Sequence, residues 1–515
     1  MLQARWWSAF LWGAISGLGF APIFLWPALI LGLAWWYAYV VKASTARRSF
    51  QLGWWFGWGH FICGLHWIAR ALWIDIEKFW PLVPLAVKLI PAALAVFPAL
   101  VGWVAWHLRK RWPAPDLVWI PLVGLLWLGS ELFRGKIFPL FPWNLLGYAW
   151  GAFDVLLQPA ALVGIYGLGL YHFMALAVGW GIYHRKRSHK QETYIYVSLY
   201  TIILLANVAY GVYRLYLHEA PVASGPVIRL VQPNVSQIDK WNPQRLWLNL
   251  ETHIVNSGGK PVDVVIWPET AVPGVMLQNL AYRELLKLVV PPQGLLILGV
   301  PYKDPNGVHN SLLVMGDRGE VMACYHKSRL VPFGEYIPCR PLLEKLQLRV
   351  RKLTQGVTDF TPGPGPSVVH VPGLPPFQPL VCYEVIFPEF RVPASSPEFP
   401  QWIVNLTNDG WYGETSGPYQ HFLAARLRAI EQGLPLVRAA NTGISAVIDA
   451  YGRVCSFQPL GVEGVIELVL PLHNIKTVYR EWGDWILLLQ IFAMCSIIFM
   501  PQRRKCFGGN QDLKS

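Results

Sequence analysis

"PLVCYEV" (379–385) is the stretch on which the reading of this chain turns. Apolar residues follow one another without alternation up to Cys382, then the run stops on Tyr383 and Glu384. Continuous apolar runs of this length suit strands buried on both faces. Four other stretches have the same form: "PVIRLVQPNV" (226–235), "DVVIWPE" (263–269), "LLILGV" (295–300) and "WIVNLTN" (402–408). "SLLVMGDRGEVMACYHK" (311–327) sets a Gly-Asp-Arg-Gly turn between two apolar runs and reads as a hairpin. "HFLAARLRAIEQG" (421–433) has helical spacing at Phe422, Ala425, Leu427 and Ile430 and stops at Gly433. Alternating strands and helices of this kind predict an α/β domain over 217–480. The Pro/Gly-rich "FTPGPGPSVVHVPGLPPF" (360–377) reads as a loop.

Outside that segment the composition changes. The 515-residue chain is 54% hydrophobic and only 14% charged, with 27 tryptophans, where soluble domains carry roughly 25% charged residues. Apolar runs cover 5–22, 24–41, 51–69, 81–106, 117–133, 155–183, 194–213 and 482–500, each near the ~20 residues a helix needs to cross a bilayer. The expectation is a polytopic α-helical membrane protein of eight spans. Seven fall in a membrane domain over 1–216, and one in 481–515, ahead of a short basic tail. No small-residue cleavage site follows the first run, so no cleavable signal peptide is expected. Five basic clusters fall on one face of this arrangement: Arg5; Lys42, Arg47 and Arg48; Arg109–Arg111; Arg185–Arg187 with Lys190; and Arg503–Lys505. The other face holds a mixed set, Asp75, Glu77, Lys78, Arg134 and Lys136. By the positive-inside rule both termini are cytoplasmic and 217–480 lies outside. The net charge of +13 is then a topology signal, and no nucleic-acid partner is expected.

Within the outer segment three polar residues each close an apolar run. Glu269 ends "DVVIWPE", Lys327 ends the hairpin with Glu335 eight residues on in "YHKSRLVPFGEYIP", and Cys382 ends the opening stretch. Taken singly they read as a solvated carboxylate, a surface lysine and a buried structural thiol, since free cysteine is among the most buried residue types. Taken together they reverse that balance, because strand ends of an α/β sheet gather in one crevice. A thiol nucleophile needs a base and a cation, and glutamate and lysine supply them.

These residues resemble the Glu–Lys–Cys triad of the nitrilase (carbon–nitrogen hydrolase) superfamily. "NLTNDGWYG" (405–413) and "RAANTGISAVIDAYG" (438–452) resemble its downstream blocks. With "FPWNLLGY" (141–148) between the fifth and sixth spans, the whole chain is similar to the membrane-embedded branch, the apolipoprotein N-acyltransferases. The resemblance implies an αββα sandwich on the periplasmic face of a bacterial inner (plasma) membrane. It also implies a ping-pong transfer, with Cys382 taking an acyl chain from a membrane phospholipid as a thioester. The chain then passes to the α-amine of the diacylglyceryl-cysteine of an apolipoprotein. Glu269 is implied as general base and Lys327 as oxyanion donor, with a backbone N–H near residue 383 as a second donor. Glu335 is implied as a positioning carboxylate.

Tyr383 and Glu384 match functional positions of the family, and equally read as a packed tyrosine and a structural carboxylate. Trp241 in "QIDKWNP" resembles a tryptophan at the family's lipid-contacting entrance, and reads equally as an interfacial anchor. "PLLEKLQLRVRKL" (341–353) has the pattern of an amphipathic surface segment, and "AVPGVMLQNL" (271–280) that of an apolar lid. His66 and Lys88 fall in predicted spans, where a hydrogen bond to a neighbouring helix and snorkelling account for them. A disulfide among Cys324, Cys339 and Cys455 is left open. No His/Cys set has metal-ligand spacing and no Gly-rich phosphate loop appears, so neither metal nor organic cofactor is expected. A monomer is favoured. The rival readings are a membrane-tethered amidase using water in place of the amine, and a transporter or lipid-binding scaffold without catalysis.

Overall fold

A computed structural model describes residues 5–136, 141–184, 190–216, 224–273, 279–345, 347, 352, 359–392 and 398–507. The predicted cluster Arg185–Arg187, part of the segment 341–353, and the middle of the apolar stretch 271–280 lie outside the described residues. The chain forms two compact units. One comprises Met1–His66, Pro84–His218 and Trp482–Ser515, the other Trp67–Val83 and Glu219–Glu481.

The first unit is helical. Among the described residues, four stretches are long and apolar enough to cross a membrane: Ala46–Arg111, Asp116–Lys136, Ala160–His184 and Gln191–Tyr216. Trp26–Val41 and Trp485–Ser496 are shorter apolar helices, and Trp6–Gly17 is a further helix. Close backbone approach, typical of membrane helices with small residues at the contact, packs Trp6–Gly17 on Ala46–Leu65. A Cβ added at Gly13 would lie 1.9 Å from the Phe56 carbonyl oxygen. Two members of the predicted basic clusters converge on one carboxylate, with Lys42 and Arg109 each 2.6 Å from Asp116. His66 turns back on its own helix, its Nδ1 lying 3.0 Å from the Cys63 carbonyl. Lys88 is exposed on the helix Val83–Leu94.

The second unit holds two six-stranded sheets. One contains β1 (Val227–Gln232), β2 (Val264–Ile266), β3 (Leu295–Asp304), β4 (Gly307–Gly316), β5 (Val321–His326) and β12 (Gly464–Val469), in the order β12-β1-β2-β3-β4-β5. The other contains β6 (Val369–Val371), β7 (Leu374–Val381), β8 (Trp402–Thr407), β9 (Leu436–Ala440), β10 (Ser445–Ile448) and β11 (Val454–Gln458), in the order β11-β10-β9-β8-β7-β6. β1, β2 and β3 are mutually parallel, as are β7, β8 and β9.

The continuous apolar runs have their expected cause. Ile228, Leu230, Ile266 and Ile297 of the first sheet pack in one core with Phe377, Val381, Trp402 and Val404 of the second. On the far face of the first sheet, Val265, Leu296 and Leu313 pack against Leu250 and Leu286, from the helices Leu246–Ser257 and Leu280–Lys287. The helix Ser416–Gln432 covers the second sheet and stops at Gly433, whose φ of 63° is left-handed. The result is an αββα sandwich. At ~1.5–3 kcal/mol per fully buried aliphatic or aromatic side chain, the double-faced strands carry most of its cohesion.

The tract 360–377 corrects the loop expectation, because it contains β6 and the start of β7. Its Pro375 and Pro376 are tolerated because β6 pairs with β7 only through Val369↔Phe377 and Val371↔Leu374, leaving the prolines between the paired positions. Cys324, Cys339 and Cys455 are free thiols.

Candidate active site

Three strand ends carry the polar residues singled out in the sequence. β2 runs into Trp267, Pro268 and Glu269. β5 runs into Lys327, whose amide donates to the Asn310 carbonyl at 2.8 Å. β7 ends at Val381, and Cys382 opens a tight turn through Ile386. β3 approaches the Glu269 backbone closely, and only glycine fits there: a Cβ at Gly299 would lie 2.5 Å from the Glu269 Cα. Cys382 (φ 49°) and Thr270 (φ 48°) are both left-handed, a conformation that costs a non-glycine residue roughly 1–3 kcal/mol. The Cys382 thiol hydrogen-bonds with the Thr407 side chain and lies in the field of Glu269 and Lys327.

A dense polar network meets it. Asn310, on β4, donates from Nδ2 to Glu269 Oε1 at 2.7 Å and to Glu335 Oε1 at 2.8 Å. The Lys327 ammonium donates to Glu335 Oε1 at 3.0 Å and lies 3.4 Å from Glu269 Oε1. Glu335 uses its second oxygen as well, accepting from the Val331 amide at 2.8 Å. Glu269 does not: both its contacts fall on Oε1, and Oε2 has no hydrogen-bond partner among the described residues. Of the two carboxylates, Glu269 is therefore the one with an oxygen open to receive a proton.

The electrostatics fit a resting thiol beside a permanent cation. Burial alone would push Lys327 down, but the carboxylates of Glu335 and Glu269 overcome it and hold the ammonium above its ordinary value. Burial, with Glu269 adding to it, pushes the Cys382 thiol up to about 12 against the pull of Lys327. Cys382 thus rests protonated and needs a base at the moment of attack.

Glu384 braces the two loops that meet here. Its Oε1 accepts from the Ser328 amide at 2.7 Å, the Arg329 amide at 3.2 Å and the Tyr325 hydroxyl at 2.9 Å, and its Oε2 from the Val381 amide at 2.8 Å. The loop after Lys327 and the turn of Cys382 are tied through this one carboxylate. Tyr383 is buried edge-on to Phe387, with ring centroids 5.1 Å apart.

Behind the thiol lies a second ionic cluster. His421 Nε2 meets the Cys382 carbonyl oxygen at 3.1 Å, and its Nδ1 meets Asp409 Oδ1 at 2.8 Å. Arg438 donates to Asp409 Oδ2 at 2.7 Å and also to Asn405. Cys382, Asp409 and His421 are near enough to share a metal ion, but both nitrogens of His421 are already engaged, so the set reads as a hydrogen-bonded scaffold. In the cluster of Asp304, His309 and His326, both nitrogens of His309 are likewise taken, by Thr361 and Asp304.

Trp241 is half-buried on the turn after Ser236, and among the described residues no hydrogen bond or ring contact joins it to the network. Its neighbour Lys240 reaches inward instead, donating from Nζ to the Glu269 carbonyl at 2.9 Å. The segment Trp67–Val83 also contributes to this unit: the Trp67 ring lies edge-on to Tyr412 at 4.6 Å, and its indole N–H donates to Gln420 at 3.1 Å. Sequence reasoning passed over Lys240, Asn310 and the Asp409–His421–Arg438 cluster. The signals were a lysine inside "QIDKWNP", an asparagine opening the apolar strand "NSLLVMG", and charged residues in "NLTNDGWYG" and "RAANTGIS".

Comparison with known proteins gives matches to both units. Residues 227–480 match the family described as carbon-nitrogen hydrolase, and residues 12–178 the apolipoprotein N-acyltransferase N-terminal domain. An apolipoprotein N-acyltransferase of Rhodopseudomonas palustris is 34% identical over 96% of this chain and 95% of its own. One of Rickettsia bellii is 34% identical over 96% and 98%, and one of Brucella melitensis 36% identical over 90% and 88%. Among solved structures, a Nesterenkonia amidase of the nitrilase superfamily aligns with a TM-score of 0.35 at 21% identity, over 51% of this chain and 94% of its own.

Proposed function

The chain belongs to the apolipoprotein N-acyltransferase family, and from that premise we propose that Glu269, Lys327 and Cys382 carry its acyl transfer. The protein is an acyltransferase of lipoprotein processing, with phospholipid as donor and lipoprotein as acceptor. In the first half-reaction Glu269 Oε2 takes the Cys382 proton and the sulfur attacks an ester carbonyl carbon of a phospholipid. The Lys327 ammonium and a backbone N–H near residue 383 hold the oxyanion. The tetrahedral intermediate collapses to a thioester, and the departing alkoxide takes the proton from Glu269 to leave as a lysophospholipid.

In the second half-reaction the α-amine of a diacylglyceryl-cysteine attacks the thioester. Glu269 takes the amine proton, an amide forms, and the sulfur leaves and recovers the proton. Glu335 and Asn310 hold Lys327 and Glu269 in place. Tyr383 and Glu384 support the nucleophile turn, and Trp241 meets lipid at the entrance.

One observation carries this reading: the Cys382 thiol sits on a left-handed turn beside a lysine clamped by two carboxylates, one of which keeps an oxygen open. The basic clusters support eight spans, seven within 1–216 and one within 481–515. The same clusters support a reading with both termini in the cytoplasm and 217–480 in the periplasm of a bacterial inner membrane. We take the working unit to be a monomer.

Intact-mass spectrometry of the full-length protein with phospholipid, then with a diacylated lipopeptide, tests the scheme. A gain of one acyl mass on Cys382, lost to the lipopeptide amine, is expected. An adduct that water discharges as fast as the amine does would favour an amidase-like hydrolase. No adduct from folded protein would remove Cys382 as nucleophile.

A further inference from the structure

We propose that Lys240 is a positioning residue for thioester formation, its ammonium seating the Glu269 strand end and supplying a second positive charge that faces Cys382. The inference rests on the roles given above to Glu269 and Cys382. Lys240 is 7% exposed. Among the described residues its one hydrogen-bond acceptor is the Glu269 main-chain carbonyl at 2.9 Å, and none of their carboxylates forms an ion pair with it.

That arrangement is unusual for a buried cation, which is ordinarily paired because an isolated charge loses its hydration without recompense. Most other buried cations of this unit follow the rule, with Lys352, set over the Phe360 ring, as the exception. Lys327 has two carboxylates, Arg438 has Asp409, and Arg229 has Glu467. A lysine kept purely for packing would be better replaced by methionine. What acts on the Lys240 charge is the reacting pair, Glu269 and Cys382, and Lys240 in turn acts on His253 of the helix Leu246–Ser257. Burial, with Lys240 adding to it, holds His253 down to about 4, so that ring is neutral in the working range.

The turn bearing Lys240 is itself anchored, since Asn249 donates to the Asp239 carbonyl at 3.0 Å. Lys240 therefore bridges two fixed points, the Trp241 turn and the base. When the Cys382 proton moves to Glu269, negative charge appears first on sulfur and then on the oxyanion. Lys327 is already shared between two carboxylates, so a cation without a carboxylate of its own has more of its field to give.

Burial also pushes Lys240 down, to about 8 against the opposing pull of Glu269 and Cys382. Its charge is accordingly lost on mild alkalinisation. In the folded protein a buried charged lysine is unfavourable below that value, and the cost fades as pH rises toward the ordinary lysine range near ~10.4.

The test is single-turnover acylation of full-length enzyme in detergent micelles with phosphatidylethanolamine, read by intact mass from neutral to alkaline pH, for wild type, Lys240→Arg and Lys240→Met. Wild-type acylation should fall as pH rises through about 8. Lys240→Arg should keep the neutral-pH rate within a few-fold and lose that alkaline fall. Lys240→Met should acylate roughly 10–100-fold more slowly at neutral pH, show no alkaline fall, and melt no lower than wild type. The inference is overturned if Lys240→Met acylates at the wild-type rate with the same profile. It is overturned equally if Lys240→Met melts lower with its pH profile unchanged, or if folded Lys240→Arg is as slow as Lys240→Met. An acyl adduct that survives in Cys382→Ala sinks the nucleophile assignment instead, whatever the lysine variants do.

Discussion

Two buried ionic networks flank Cys382, and they differ in how completely they are closed. On the carbonyl side, Asp409, His421 and Arg438 saturate one another. Arg438 donates to Asp409, Asn405 and the Ile444 carbonyl, while Asp409 accepts from Arg438, His421 and Thr407. On the thiol side, Glu269, Asn310, Lys327 and Glu335 form a network of similar burial that is left incomplete, with Glu269 Oε2 unused. Burial of charge is common to both, so burial does not mark the chemistry. The carboxylate oxygen that has no partner among the described residues does. The closed network holds the main chain of a strained nucleophile in place, and the open one keeps a proton acceptor available to it.

Substitutions can break that contrast at either end. The largest effect belongs to Cys382→Ala, which should remove both acyl-enzyme and N-acylated product by intact mass. Lys327→Met should still fold and bind lipid but acylate ~10²–10³-fold more slowly. If it turned over near the wild-type rate, the open network would not be the oxyanion side. Glu269→Gln should lose more activity than Glu335→Gln, since only Glu269 has an oxygen free to take the proton; the reverse order would exchange their roles.

The closed network should answer in stability. Arg438→Met takes the guanidinium from buried Asp409, which keeps only His421 and Thr407, and should lower stability by ~3–5 kcal/mol, read as a loss of thermal midpoint that Lys240→Met does not show. The smallest effect is with pH. Burial would raise Asp409, but Arg438 and His421 hold it down to about 2. A carboxylate depressed on folding stabilises fully above its unfolded value near ~3.9 and loses that contribution as pH falls through the folded value. Wild type should therefore lose on the order of 2 kcal/mol between about pH 4 and pH 2, and Asp409→Asn should show a flatter acid limb.

The catalytic fold was largely legible, because strands buried on both faces leave continuous apolar runs, and the residues that end them stand out. β1, β2, β3 and β8 all lie within or start at the quoted runs, β7 ends in one, and Glu269, Lys327 and Cys382 each follow the end of a strand. The tract 360–377 was misread for a reason of the same kind. β6 is a three-residue strand in a tract where prolines and glycines outnumber its signal, and only pairing with β7 makes it a strand. The segment Trp67–Val83 was hidden differently. Trp67 read as the end of the span 51–69 and residues 70–80 as a short loop, yet the segment groups with Glu219–Glu481, and nothing local to it states that Trp67 will meet Tyr412.

Periodicity, composition and the spacing of basic clusters were sufficient for the class of the molecule and for the residues that could do chemistry, since these depend on each residue's own character and near neighbours. Which carboxylate is left open, which lysine is clamped and which is not, and what holds Cys382 in a left-handed turn depend on contacts between residues far apart in the chain. Lys240 and Glu269 are 29 positions apart, Asn310 and Glu335 are 25, and Cys382 and His421 are 39. Hydrogen bonds at such separations arise from how the two sheets bring their strand ends together, and a linear pattern carries no record of them.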